Sequence, residues 1–122
     1  MRIVVTTTTP DLDSPVDPRF GRGAYFVVVD TSTLEWKAHP NPAAAASGGA
    51  GIRAAQFVAE QKADGVISGD FGPNAHQALT AAGVRMYLFG TSASARQAVE
   101  RFKAGELESL GGSARVDRQP RG

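Results

Sequence analysis

The sequence predicts an α/β domain, a mixed sheet of five strands with helices packed over it. Three observations carry this expectation. Runs rich in β-branched and aromatic residues open the chain, at Arg2 to Thr6, Ala24 to Asp30 and Leu34 to Ala38. From Ile52 onward, segments of helical period alternate with two short apolar runs, Gly65 to Ser68 and Val84 to Phe89. Glycine and proline punctuate the junctions. The resulting order, β-β-β-α-β-α-β-α, is an antiparallel start passing into β-α-β units.

Each element has a local reason. RIVVT is short and β-branched, and AYFVVVD is apolar almost throughout, as a strand buried on both faces requires. Leu34, Trp36 and Ala38 alternate with Glu35 and Lys37, the pattern of a half-buried antiparallel partner. Pro40, Asn41 and Pro42 stop that strand, and Ala43 to Gly51 is a glycine-rich connection. Arg53, Gln56 and Glu60 share the polar face of a first helix running from Ile52 to Lys62. GDFGPN turns into a second helix with Ala75, Ala78, Leu79 and Ala82 on its apolar face, and Gly83 ends it. Thr91 or Ser92 caps a third helix whose stripe is Ala95, Ala98, Val99 and Phe102.

At 122 residues the chain suits one domain, read as residues 1–105, with 106–122 as a disordered tail. An apolar share of 42% against 20% charged residues excludes wholesale disorder. A net charge of +1 argues against a general nucleic-acid coat, which needs many uncompensated cations. The absence of cysteine removes disulfides, thiolate catalysis, cysteine zinc sites and thiolate-held iron–sulfur clusters. No apolar run approaches the ~20 residues of a membrane helix and no signal pattern opens the chain, so the expected address is the cytoplasm with no membrane partner.

Several motifs fail on context. Gly49-Ala50-Gly51-Ile52-Arg53-Ala54 fits the dinucleotide fingerprint, but no strand precedes it, so no nucleotide is expected. The glycine loop keeps a weaker meaning: Ser47, Gly48 and Gly49 offer backbone N–H groups at a helix N-terminus, either an anion nest or a flexible lead into the helix. Asp11, Asp13 and Asp17 fail as a calcium loop, because Val16 and Arg22 stand at the glycine and glutamate positions. Gly65 to Gly69 misses the nucleophile elbow by one position, and no acid–base constellation appears, so no enzyme is expected. His39 reads as a surface residue. His76, in the first turn of the second helix, is the one weak metal-ligand candidate. Most suggestive is Pro18-Arg19-Phe20-Gly21-Arg22-Gly23, which offers permanent charge, many donors and an aromatic wall. The competing reading is a turn whose arginines pair with Asp13 or Asp17.

Four segments, DSPVDPRFGRGAYFVVVD, NPAAAASGGAGIRAAQ, ISGDFGPNAHQAL and AAGVRMY, resemble the dinitrogenase iron–molybdenum cofactor biosynthesis family, and within it the small stand-alone, orange-protein type. The resemblance spans Met1 to about Leu110. It implies a ribonuclease H-like α/β fold without nuclease activity and a carrier of anionic metal–sulfur clusters, either iron–molybdenum cofactor or a molybdenum–copper sulfide. Nitrogenase carriers of the family have His-Phe-Gly where this chain has Arg19-Phe20-Gly21, a departure that turns the expectation from iron–molybdenum cofactor toward molybdenum–copper sulfide. A sulfide-rich cluster brings its own metal ligands, so ion pairs, N–H donors and apolar walls are enough to hold it. The residues expected around it are Arg19, Phe20, Gly21, Arg22, Ser47, Gly48, Gly49, Gly51, Asp70, Phe71, Gly72 and Asn74. The implied partner is a cluster donor or acceptor protein. The alternative is a regulatory or interaction protein that keeps the fold and has lost the cluster.

Overall fold

The chain runs β1 (Arg2–Thr7), β2 (Tyr25–Asp30), β3 (Trp36–Pro40), α1 (Ala50–Glu60), β4 (Gly65–Ser68), α2 (Gly72–Ala81), β5 (Arg85–Leu88), α3 (Ala95–Lys103) and β6 (Ser109–Leu110). This is the order in the computed structural model, which describes residues 1–45 and 48–110. One mixed sheet results, ordered β3-β2-β1-β4-β5-β6. β1 pairs antiparallel with β2 and parallel with β4, β5 runs parallel to β4, and β3 and β6 close the two edges antiparallel.

The period of two in β1 and β2 divides the core. Val4, Phe26 and Val28 face the side covered by α1 and α2, together with Val66, Ala54, Val58, Ala75 and Leu79. Ile3, Val5, Val27 and Val29 face the side covered by α3, whose Ala95, Ala98 and Val99 pack there with Leu12 and Val16 from the long loop after β1. Both faces of the central strands are buried, which is why their sequences are apolar almost without alternation.

The sheet has six strands, one more than expected. Ser109 and Leu110 fall in the segment assigned to a tail, yet they pair with Tyr87 and Met86. Two residues carry no periodicity, so this edge was invisible to pattern reading. Residues 111–122 lie outside the described residues. The third strand lies two residues later than read and includes Pro40, which an edge position tolerates. Within that strand Trp36 is 41% exposed, while Ala38 and the preceding Leu34 pack inward. α1 and α2 each begin two or three residues earlier than their apolar stripes suggest. Ser94, rather than Thr91 or Ser92, caps α3 by accepting from the Gln97 amide.

Candidate functional site

The strand order reverses between β1 and β4: the chain leaves β1 toward β2 and later returns on its other side. In open α/β sheets the crevice beyond the carboxyl ends of strands at such a switch point is the usual ligand position. Here the loop after β1 and the loop after β4 meet at that place. The Asp70 amide donates to the Pro18 carbonyl at 2.6 Å and the Phe20 amide to the Asp70 carbonyl at 3.0 Å, a short parallel bridge between Arg19 and Asp70. Behind it the buried Thr6 hydroxyl donates to the Asp17 carbonyl at 2.6 Å and lies 2.7 Å from the Ser68 hydroxyl.

Asp17 and Asn41 shape the loop from within. The buried Asp17 carboxylate accepts from the Arg19 amide (3.0 Å), from Arg19 Nε (3.2 Å) and Nη2 (3.3 Å), and from the Ala24 amide (3.3 Å). Burial alone would raise its pKa; the Arg19 and Ala24 bonds outweigh that and hold it below the usual carboxylate range. Asn41 Nδ2 donates to the Gly21 carbonyl at 3.1 Å and the Gly23 carbonyl at 2.8 Å, and its Oδ1 accepts from the Ala43 amide at 2.8 Å. One buried amide side chain therefore ties the basic loop to the segment leading into α1.

Three backbone segments then touch. A Cβ on Gly21 would sit 3.2 Å from the Gly51 backbone, and one on Gly51 would sit 3.3 Å from the Ala75 Cβ. Glycine at positions 21 and 51 lets the loop, the first turn of α1 and the first turn of α2 come this close without a crowded Cβ contact. The result is a cleft of about 390 Å³ lined by Arg19, Gly21, Arg22, Ala50, Gly51, Asp70, Phe71, Gly72, Pro73, Asn74 and Ala75.

Two helix N-termini open onto this cleft, and neither is capped. Gly49, in the left-handed region at φ 70°, precedes α1, and Phe71 precedes α2; neither makes a side-chain cap bond and neither first turn carries an acid. Their orphan amides and aligned dipoles favour an anion. The guanidinium of Arg19, 63% exposed beyond its Asp17 contact, and Arg22 add permanent charge beside them. Among the described residues no group of three or more His, Asp or Glu side chains is placed to hold a metal ion. The arrangement thus presents N–H donors and fixed positive charge suited to an anion.

Eight of the expected residues line the cleft: Arg19, Gly21, Arg22, Gly51, Asp70, Phe71, Gly72 and Asn74. Gly48 and Gly49 lie exposed at the start of α1 without forming its walls, and Ser47 lies outside the described residues. Phe20 does not shield the cleft. It is fully buried, with ring centroids 5.8 Å from Phe26 and 5.2 Å from Phe71, and anchors the basic loop to the core. An aromatic between two exposed arginines packs inward because that is the only apolar anchor the loop has. His76 is half-buried on α2 and forms no part of the cleft wall. His39 is also half-buried, edge-on to Phe57 at 5.3 Å, with its pKa lowered by burial and by the neighbouring Lys37 and Arg2. Sequence reasoning missed Asn41, Thr6 and Ser68, and saw Asp17 only as a partner for arginine. A lone Asn between two prolines was the available signal for the first of these.

Fold and cleft together define a small α/β domain with a donor-rich crevice at the switch point of a mixed sheet. The chain belongs to the dinitrogenase iron-molybdenum cofactor family, whose match covers residues 1–105. Among solved structures it is similar to the apo form of the orange protein from Desulfovibrio gigas, at 46% identity and a TM-score of 0.86, over 91% of this chain and 93% of that one. It is also similar to a putative NifB protein from Thermotoga, at 32% identity and a TM-score of 0.77, over 89% and 92% of the two chains. No curated protein matches the sequence. No helix among the described residues is long and apolar enough to cross a membrane.

Proposed function

We propose that this domain is a non-catalytic carrier of an anionic molybdenum-containing metal–sulfide cluster, held without covalent bonds. The observation that carries the reading is the convergence of two uncapped helix N-termini, Arg19 and Arg22 on one cleft of about 390 Å³. That volume exceeds what a single tetrahedral oxyanion fills and suits a polynuclear anion. The resemblance of the sequence to the orange-protein type implies a molybdenum–copper sulfide over an iron–molybdenum cofactor, and an arginine at position 19 points the same way. A protein that donates or accepts the cluster is the implied partner, and a nucleotide is not. The alternative, a regulatory or interaction protein that has lost its cargo, would be favoured by an exposed apolar patch near Phe20 or Phe71 together with no affinity for thiomolybdate. Both side chains are buried.

Purification from the native host without oxygen, followed by metal and sulfide analysis, tests the cargo. Molybdenum and copper with sulfide, and little iron, are expected; iron-rich content would move the reading to nitrogenase cofactor traffic. The double variant Arg19→Ala, Arg22→Ala should retain several-fold less cluster, and what it retains should be lost more readily as salt rises, because fewer fixed charges hold it. Retention equal to the wild type would remove the basic loop from the site.

A further inference from the structure

The cleft contains one group that does not belong in an anion site. Asp70 is exposed and brings an acidic side chain to the same wall as Arg19, Arg22 and the α2 N-terminus. Its backbone is committed: amide and carbonyl both bridge to the basic loop. Its carboxylate is not. It caps neither helix, and among the described residues it makes no hydrogen bond or ion pair, since the Arg19 guanidinium turns to Asp17 instead. A neutral Asn would serve the backbone bridge equally well, so the bridge itself does not require the charge.

Counting fixed charge around the cleft sharpens the point. Two arginines stand there with two acidic side chains beside them, Asp17, which engages Arg19, and Asp70. The crevice is rich in donors and close to neutral in side-chain charge. Compact, densely charged anions such as phosphate and sulfate are strongly hydrated, and a site repays their desolvation only with uncompensated positive charge. A large sulfide-surfaced anion spreads its charge, loses less hydration, and gains from apolar walls such as Phe71, Ala50 and Ala75.

We propose that Asp70 is a specificity-determining residue: its unpaired carboxylate beside the α2 N-terminus excludes small hard oxyanions while admitting a bulky, charge-diffuse sulfide anion. This rests on the reading of the cleft as an anion site and adds to it what the site rejects. The role is electrostatic, so the sign of the charge at position 70 matters more than the shape of the side chain.

The test uses the full chain with tetrathiomolybdate as probe and inorganic phosphate as competitor, at constant ionic strength so that screening is equal throughout. Wild-type protein should hold the probe with little displacement by phosphate. In Asp70→Asn, phosphate should compete at roughly tenfold lower concentration, the order expected for removing one like charge from a partly wet site. Asp70→Glu, which keeps the charge, should restore the wild-type resistance. Asp70→Asn protein as resistant to phosphate as the wild type would overturn the role of Asp70 alone. Wild-type protein that retains no tetrathiomolybdate would overturn the anion reading of the cleft and this inference with it. Asn keeps the backbone bridge, and thermal unfolding of each variant checks that the fold is intact.

Discussion

Three helices begin on this sheet, and the same loop, between β1 and β2, reaches all three N-termini with opposite consequences. Its first half is stitched to α3: the Ala95 amide donates to the Ser14 carbonyl at 2.9 Å and the Arg96 amide to the Leu12 carbonyl at 2.8 Å, while α3's own cap, the Ser94 hydroxyl, accepts from the Gln97 amide at 3.1 Å. Arg96 then pairs with Asp13 at 2.7 Å. Every early donor of α3 named here is consumed by the protein. The second half, Pro18 to Gly23, is stitched instead to Asp70 and Asn41, and among the described residues the N-caps of α1 and α2 make no side-chain cap bond. An orphan amide group must find a partner somewhere. At α3 the partner is structural, and at α1 and α2 it is left to solvent or to a ligand. The difference between a closed end and an open end therefore lies both in the acceptors the loop brings and in the Ser94 cap, which α3 carries and α1 and α2 lack.

The largest effect should come from removing what holds the binding half in place. Asp17→Ala strips acceptors from two backbone amides and from the Arg19 guanidinium in a buried setting. Losing such a set costs on the order of 2–4 kcal/mol. Chemical denaturation should register that loss, and tetrathiomolybdate retention should fall with it, because Arg19 loses its anchor. A variant that binds normally would separate loop order from ligand binding.

Acid offers a milder way to reach the same group. The Asp17 carboxyl is held below the usual range in the folded protein, chiefly because the Arg19 bonds outweigh burial. In the window between its folded and unfolded pKa values the unfolded chain binds more protons, so stability there rises with pH. The contribution is complete above the ordinary carboxylate range and is lost as pH falls through the depressed folded value. Unfolding followed from neutral pH into acid should show this slope. Asp17→Asn should flatten it, although Asp13, lowered by its exposed bond to Arg96, leaves a smaller residue of acid sensitivity.

How much of this was legible in the sequence depends on what carries each feature. Periodicity placed the first five strands and the three helices, because burial writes itself as a repeat of two or 3.6. Arg19, Arg22, Asp70, Gly51 and the GDFGPN turn were legible as candidates through their charge, glycine and turn chemistry and through the family resemblance, but their meeting in one cleft was not. Nor were the supports. Thr6 and Ser68 read as ordinary strand residues, and their hydrogen bonds to the Asp17 carbonyl exist only once β1 and β4 lie side by side. Asn41 read as punctuation between prolines. Phe20 was misplaced for the converse reason: flanking arginines signal exposure, but alternate residues in an irregular loop need not share a side.

The smallest expected effect is the most diagnostic of the contrast between the helix ends. Ser94→Ala removes the α3 cap, leaving the Gln97 amide without its acceptor. Caps of this kind contribute about 1 kcal/mol, which thermal or urea unfolding can resolve. If helix N-termini were interchangeable in this fold, uncapping α3 would create a third anion-binding end, and phosphate or tetrathiomolybdate binding would rise. The geometry argues otherwise. Ala95 and Arg96 remain bonded to Ser14 and Leu12, the side chain of Arg96 remains paired with Asp13, and no loop arginine is brought near. Stability should fall while binding stays unchanged. A gain in anion affinity would mean that free amides alone suffice, and that the arrangement of loop, glycines and arginines at α1 and α2 is less decisive than the cleft suggests.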